Sequence, residues 1–327
     1  LAHTPGIASP ALLGMTRQTL STLAVRCEVM VMIDASQLAS DRKQIKHVVG
    51  FSGGIDSQAC ARWVLNHYPK EDVILINSDA GGNEHPITTE FLHWYSEKVH
   101  PVVFVKPLIK DLGGSGTRPG ISKDRRTEFS DDDELTFDRL AYIKQRFPSS
   151  QAQFCTNLLK LVPTHRWLKE NLEPGSWVRY AGVRRDESAK RSKRGFEEWD
   201  EYFACPLLHP IVDWTKQMCF DYCQAHDGKF NELYKFGFNR VGCAPCINSS
   251  KQDILNWATR FPEMIEKVRE WEKRVGRTFF APCVPGLGIN LVDDVVDWAK
   301  TTRGGKQYSL LVLEEPPACE SQYGICE

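Results

Sequence analysis

The stretch His47-Val-Val-Gly-Phe-Ser-Gly-Gly-Ile-Asp-Ser57 carries a short apolar run into a glycine pair and then into a helical pattern from about Asp56 to His67. An apolar run of this length, closed by turn residues and followed by a helix, reads as a buried strand feeding a helix. Working outward, Val73-Ile-Leu-Ile-Asn77 is a second such run, bounded by Asp72 and by Asp79-Ala-Gly-Gly82. A helix is expected from Pro86, a good first-turn residue, to about Val99, and Pro101-Val-Val-Phe-Val-Lys106 is a third strand. Strands alternating with helices at this spacing predict an α/β fold with a doubly wound parallel sheet covered on both faces.

The 327 residues are 42% hydrophobic and 25% charged, a globular composition that excludes a disordered tail, a collagen-like repeat or a simple coiled coil. Lys and Arg number 41 against 42 Asp and Glu, so there is no bulk basic footprint for nucleic acid, although a local patch is compatible with this balance. Eleven cysteines, an odd number without an even ladder of spacings, argue against a secreted disulfide framework and for a reducing cytoplasm. No run of about 18 apolar residues exists, so no membrane span is expected. Thr19 to Ile33 is fairly apolar but is interrupted by Arg26 and Glu28, which weakens it as a signal segment. The sequence starts at Leu1, with Met15, Met30 and Met32 as alternative starts, and residues 1–32 are read as an N-terminal extension.

Residues 33–212 are expected to form the α/β domain. Within it, 107–134 holds Gly113-Gly-Ser-Gly116, Arg118, Lys123, Arg125, Arg126 and Asp131-Asp-Asp-Glu134 with little periodicity, the mark of a lid or insertion. Helices are expected at about 135–146 and 156–170, and Trp177-Val-Arg-Tyr-Ala181 as a strand. From 213 to 327 the pattern turns mainly helical (213–226, 251–260, 262–275 and 291–302), in a smaller C-terminal region with seven of the eleven cysteines.

Ser52-Gly53-Gly54-Ile55-Asp56-Ser57 lies between strand and helix. Its glycines allow close backbone approach, the helix start offers free N–H groups and a favourable dipole, and the two serines add hydroxyls, so the segment suits a phosphate. The Lys of a Walker loop is missing, which argues against a kinase-like γ-phosphate clamp. The bland alternative is a tight turn with Asp56 as a helix cap.

The hexapeptide resembles the PP-loop of ATP pyrophosphatases in the adenine nucleotide alpha hydrolase superfamily. Asn77-Ser-Asp-Ala-Gly-Gly-Asn-Glu-His-Pro86 is similar to the Asp-Thr-Gly-x-Glu-x-Pro strand end of the phosphoadenosine phosphosulfate (PAPS) reductase family. Phe154-Cys155-Thr156-x-x-Leu-Lys160-x-x-Pro163 and Ala181-Gly-Val-Arg184-Arg185-Asp-Glu-Ser188 also resemble that family. The resemblance spans about 47–250 and implies an adenine nucleotide, ATP or PAPS, as ligand. It places Asp79 and Glu84 at the sheet edge that binds ligands, near ribose, adenine or Mg2+. Arg184 and Arg185, directly after a strand, suit phosphate or sulfate oxygens, and Lys160 is placed to reach the same anion. Lys190 and Lys193 in the same basic run read as a solvated face.

Gly242-Cys243-Ala-Pro-Cys246 is a C-x-x-C spacing, fit for one metal or cluster. Cys155, Cys243, Cys246 and Cys319 (or Cys326) would supply four thiolates, and relatives in the superfamily carry a [4Fe–4S] cluster on comparable cysteines. Zinc on the same ligands and a dithiol redox pair stand beside that reading. Cys27, Cys60, Cys219 and Cys223 read as buried inert thiols.

The family's sulfonucleotide reductases place a nucleophilic cysteine in a Glu-Cys-Gly-[Ile/Leu]-His tail motif, for which Cys326-Glu327 is a poor substitute, and they tend to carry a degenerate phosphate loop. The intact loop here favours ATP pyrophosphatase activity: α–β cleavage that adenylylates an acceptor, linked to sulfur transfer. DNA phosphorothioation proteins of the DndC type are the nearest analogy. It implies a sulfur donor protein and a DNA or tRNA acceptor reached through partners. Sulfonucleotide reduction and a non-catalytic nucleotide- and metal-binding module are the alternatives. His85, beside a proline turn, reads as structural.

Overall fold

The computed structural model describes residues 44–113, 120–189, 191–284, 286 and 290–301. The expected extension at 1–32, together with Arg118, Lys190, Cys319 and Cys326, lies outside the described residues.

Strand β1 (Lys46–Gly50) runs through the glycine turn at 51–54 into helix α1 (Ile55–His67). Strand β2 (Val73–Ser78), helix α2 (Pro86–Lys98) and strand β3 (Val102–Val105) follow. Pro86 opens α2, capped by the His85 ring, which accepts the Ile87 amide at 3.2 Å. After the short helix α3 (Lys123–Arg126) and α4 (Phe137–Lys144), a π-helical turn at Thr156–Leu161 leads into α5 (Val162–Asn171) and strand β4 (Trp177–Tyr180). Strands β5 (Glu197–Asp200) and β6 (Cys205–Leu208) precede α6 (Lys216–Asp227), α7 (Lys251–Arg260), α8 (Pro262–Val275) and α9 (Val292–Lys300).

The sheet order is β3-β2-β1-β4-β6-β5, parallel except for the β5–β6 pair. Chain order reverses between β1 and β4, so the turn after β1 stands at the switch point where a doubly wound sheet opens a crevice. Both sheet faces are covered, which explains the unbroken apolar runs. Val49, Leu75 and Tyr180 pack with Ala59, Phe91, Leu92, Cys219 and Cys223 of α1, α2 and α6. Val48, Ile76, Val105 and Trp177 pack with Leu161, Leu168 and Phe203 on the other face.

Three features depart from the sequence pattern. The expected helix at 156–170 is interrupted because Pro163 has no N–H to give the Leu159 carbonyl. The helix widens into the π turn instead, and Ser78 Oγ donates to that freed carbonyl at 2.8 Å, tying the turn to the end of β2. Strands β5 and β6 carry too weak a period-2 signal to stand out, with Pro206 inside β6 and charged Glu197, Glu198 and Asp200 in β5. Finally, the segments beyond 213 serve two cores. Helix α6 packs on α1, whereas Val241, Ile254, Trp257, Val268, Phe279 and Val295 share a core with Ile109, Leu112, Leu140 and Phe147. The 107–134 segment is thus tied down at its described ends, by Ile109 N to Asp133 O at 2.8 Å and Leu135 N to Pro107 O at 2.8 Å. Among the described residues no helix is long and apolar enough to cross a membrane.

Candidate functional site

Gly53 turns the chain with φ +82°, a conformation that costs little only for glycine. The Ser57 hydroxyl donates to Gly54 O at 2.9 Å and accepts from the Ser52 amide at 3.3 Å and the Ser52 hydroxyl at 3.1 Å, closing the turn on itself. Gly54 is the N-cap of α1 and no side chain caps the helix, so Asp56 is not the cap that the bland reading required. Asp56 instead points inward, with Oδ2 2.7 Å from Arg184 Nε. Burial pushes the Asp56 carboxyl pKa up, and the Arg184 guanidinium opposes it. Gly182 presses against this helix start: a Cβ there would lie 2.4 Å from the Asp56 carbonyl oxygen.

A cleft at the carboxyl ends of β1 and β2, open to solvent, is lined by Ser52, Asn77, Ser78, Lys160, Thr164 and Arg179. Asn77 Nδ2 donates to Phe51 O at 2.9 Å, so it shapes the strand exit just before the turn. Lys160 is buried, carried toward the sheet edge by the π turn. Asp79 Oδ1 accepts the Gly82 amide at 2.8 Å, which makes it the closing side chain of its own turn. Glu84 is partly buried; burial pushes its pKa up to about 7, opposed by Lys160 and assisted by Asp79.

The two arginines are placed differently from the expectation that both face an anion. Arg184 is buried behind the turn, between Asp56 and Asp186. Arg185 pairs with Asp213 and donates from Nε to Arg194 O at 2.9 Å. Neither lines the cleft at the strand ends. The structure therefore brings Ser52 and Lys160 together there, and sets Arg184 as the partner of the helix that follows the turn.

Cys155, Cys243 and Cys246 line one further cleft with Ala80, Phe137, Leu159 and Arg240, and Lys160 is common to both clefts. The C-x-x-C turn is fastened to the loop after β2: Ala244 N donates to Asn83 O at 2.9 Å and Asn83 Nδ2 to Pro245 O at 3.2 Å. Asn248 N lies 3.5 Å from Cys246 Sγ. Among the described residues no three His, Cys, Asp or Glu side chains are already gathered at metal-ligating distance. The fourth expected ligand, Cys319 or Cys326, lies outside the described residues. Cys60, Cys219 and Cys223 are buried, and burial pushes all three thiol pKa values up, in keeping with inert thiols.

Several site residues carried no sequence signal. Thr164 and Arg179 line the strand-end cleft from positions that read as ordinary helix and strand. Lys267 of α8 donates to Gly82 O at 3.0 Å; burial lowers its pKa, against the pull of Cys243, Asp138 and Asp79. Tyr234 accepts the Ile55 amide at 2.9 Å, a contact between residues 179 apart that no local pattern announces.

Comparison with known proteins places the chain. The phosphoadenosine phosphosulfate reductase domain matches residues 129–249. A 37.8 kDa protein from the gpa 5' region of Escherichia phage 186 is 31% identical over 334 residues, covering 86% of this chain and 96% of that protein. The adenosine 5'-phosphosulfate reductase of Staphylococcus saprophyticus is 35% identical over 96 residues, 29% of this chain and only 37% of that enzyme. Among solved structures, the phosphoadenylyl-sulfate reductase of Candida auris in its phosphate complex aligns with a TM-score of 0.42 at 15% identity, over 71% of this chain and 98% of that one. The domain match begins downstream of the glycine turn and the phage relative runs nearly end to end, and on these likenesses the chain belongs to the phosphoadenosine phosphosulfate reductase family of PP-loop proteins.

Proposed function

We propose that the chain binds an adenine nucleotide with its phosphates in the turn at 52–57 and acts as an ATP pyrophosphatase. The observation that carries this reading is the intact Ser-Gly-Gly-Ile-Asp-Ser turn, set at the switch point beside the cleft that holds Ser52 and Lys160. An acceptor oxygen attacks the α-phosphorus, the α–β bridge bond breaks and pyrophosphate leaves, giving an adenylylated acceptor from which a sulfur nucleophile then displaces AMP. Lys160 offsets the charge that develops on the phosphate oxygens, and the turn amides hold the leaving diphosphate in line. Asp79 and Glu84 would hold a magnesium ion, for which one or two carboxylates plus phosphate oxygens suffice; bound there, it would neutralise phosphate charge.

Sulfonucleotide reduction is the second reading, supported by the three cysteines whose cleft shares Lys160 with the nucleotide cleft. Incubation of the purified chain with ATP and, separately, with PAPS or adenosine phosphosulfate together with a dithiol as two-electron reductant decides between them. Pyrophosphate from ATP supports the first reading, and sulfite without ATP turnover overturns it in favour of the second. Recovery of every nucleotide unchanged, though bound, would leave a binding module without turnover.

A further inference from the structure

The first amides of a helix have no intrahelical acceptor, and in a phosphate-binding turn they are the donors offered to the anion. Here one of them is already taken. Ile55 N, the first of α1, donates to the Tyr234 hydroxyl at 2.9 Å. Tyr234 lies in the 3-10 turn Glu232–Phe236 and is held there by Phe220 and Phe230, with ring centroids 5.0 and 6.4 Å away, and by Lys216 Nζ 5.4 Å over its ring. Burial keeps the phenol protonated.

The same segment grips the turn at further points. Asn231 Nδ2 donates to Thr88 Oγ1 at 3.1 Å, and the Thr88 methyl lies 3.1 Å from where a Cβ on Gly53 would stand. Gln58 Nε2 donates to Asp227 Oδ2 and to Lys229 O, both at 2.8 Å, and Arg62 pairs with Asp227. Residues 227–236 therefore hold the start of α1 from behind through side-chain bonds, with the Ile55 amide as the contact nearest the turn.

We infer that Tyr234 is a positioning residue for nucleotide phosphate binding. By taking the Ile55 amide, its hydroxyl fixes the helix start so that the remaining donors of the turn are presented to the β- and γ-phosphates before the nucleotide arrives. Holding donors in place beforehand spares the ligand the cost of ordering them. Tyr234 touches no reacting atom in this scheme; it acts through the Ile55 backbone. The inference rests on the reading that 52–57 holds the diphosphate.

The test is Tyr234→Phe in the full chain, which keeps the ring and removes the acceptor. Calorimetric titration with ATP is expected to show a Kd about five- to tenfold higher than wild type, the scale of one lost hydrogen bond. AMP, which lacks the phosphates that the turn would hold, keeps its wild-type Kd. Val295→Ala, in the core built by the C-terminal helices, serves as the packing control: it lowers the melting temperature while leaving the ATP Kd unchanged. The inference is overturned if Tyr234→Phe binds ATP as wild type does, or if ATP and AMP weaken together, or if Val295→Ala weakens ATP as much. Wild-type chain that binds AMP but gains nothing from the added phosphates of ATP would instead sink the reading of the turn itself.

Discussion

Replacing Gly182 by alanine tests whether the helix start behind the phosphate turn is held as tightly as its contacts imply. The added Cβ would stand 2.4 Å from the Asp56 carbonyl oxygen, 2.6 Å from its carbon and 2.8 Å from the Ser57 nitrogen. Ordinary contact between such atoms needs about 3.5 Å, so the backbone of one segment must move by about 1 Å. Neither side yields easily. The helix start is fixed by Tyr234 at Ile55 and by Arg184 at Asp56, and the segment carrying Gly182 leaves β4, whose Tyr180 is paired in register with Val49 of β1. Inserted methylenes in packed cores cost about 1–3 kcal/mol, and contact with backbone rather than a side chain puts this one near the upper end, about 3 kcal/mol. Gly175→Ala is the control: φ is +77° there, but nothing lies within 4 Å of a Cβ, so only backbone strain of about 1 kcal/mol is expected. Urea denaturation of both variants reads the difference directly, and ATP calorimetry on the folded fraction reads displacement of the turn. A Gly182→Ala protein no less stable than Gly175→Ala, with unchanged ATP affinity, would refute the reasoning.

Three further outcomes are expected. Arg184→Met leaves the Asp56 carboxylate buried without its 2.7 Å partner and should cost about 3 kcal/mol in urea denaturation. Adding Asp56→Asn to that variant should recover part of the loss, and equal stability of the single and double variants would contradict a coupled pair. Glu84 has a folded pKa of about 7 against an ordinary 4.5, so the stability it contributes is complete below pH 4.5 and is lost as pH rises through 7. At about 1.4 kcal/mol per tenfold the gap between 4.5 and about 7 amounts to about 3.5 kcal/mol, and Glu84→Gln should gain on wild type between pH 5 and pH 8; parallel stability-versus-pH curves would exclude it. Lys160→Met, removing the buried ammonium common to both clefts, should raise the ATP Kd about 10- to 100-fold, as for a lost hydrogen bond to a charged group. An unchanged Kd would remove Lys160 from the site.

The parallel sheet and the glycine turn after its first strand were legible in the chain because their signals are local. A buried strand must be apolar along its length, as Val48 and Val49 on opposite faces require, and a tight turn at φ +82° calls for glycine at 53. The C-x-x-C spacing and the Lys160 segment were legible for the same reason. What local pattern could not carry was the direction each side chain takes. Arg184 reads as an anion ligand in sequence, yet packing sets it against Asp56, where opposite charges 2.7 Å apart offset part of each other's burial cost.

The π turn, the Gly182 contact and the Tyr234 bond depend on residues that meet only after the helices pack. Pro163 frees the Leu159 carbonyl, but only tertiary structure brings Ser78 to it; Tyr234 is 179 residues from the amide it accepts. Composition and periodicity determine which segments become strand, helix and turn. Which donor meets which acceptor across the core is decided by the three-dimensional packing, since a hydrogen bond depends on distance and angle in space, and sequence separation specifies neither.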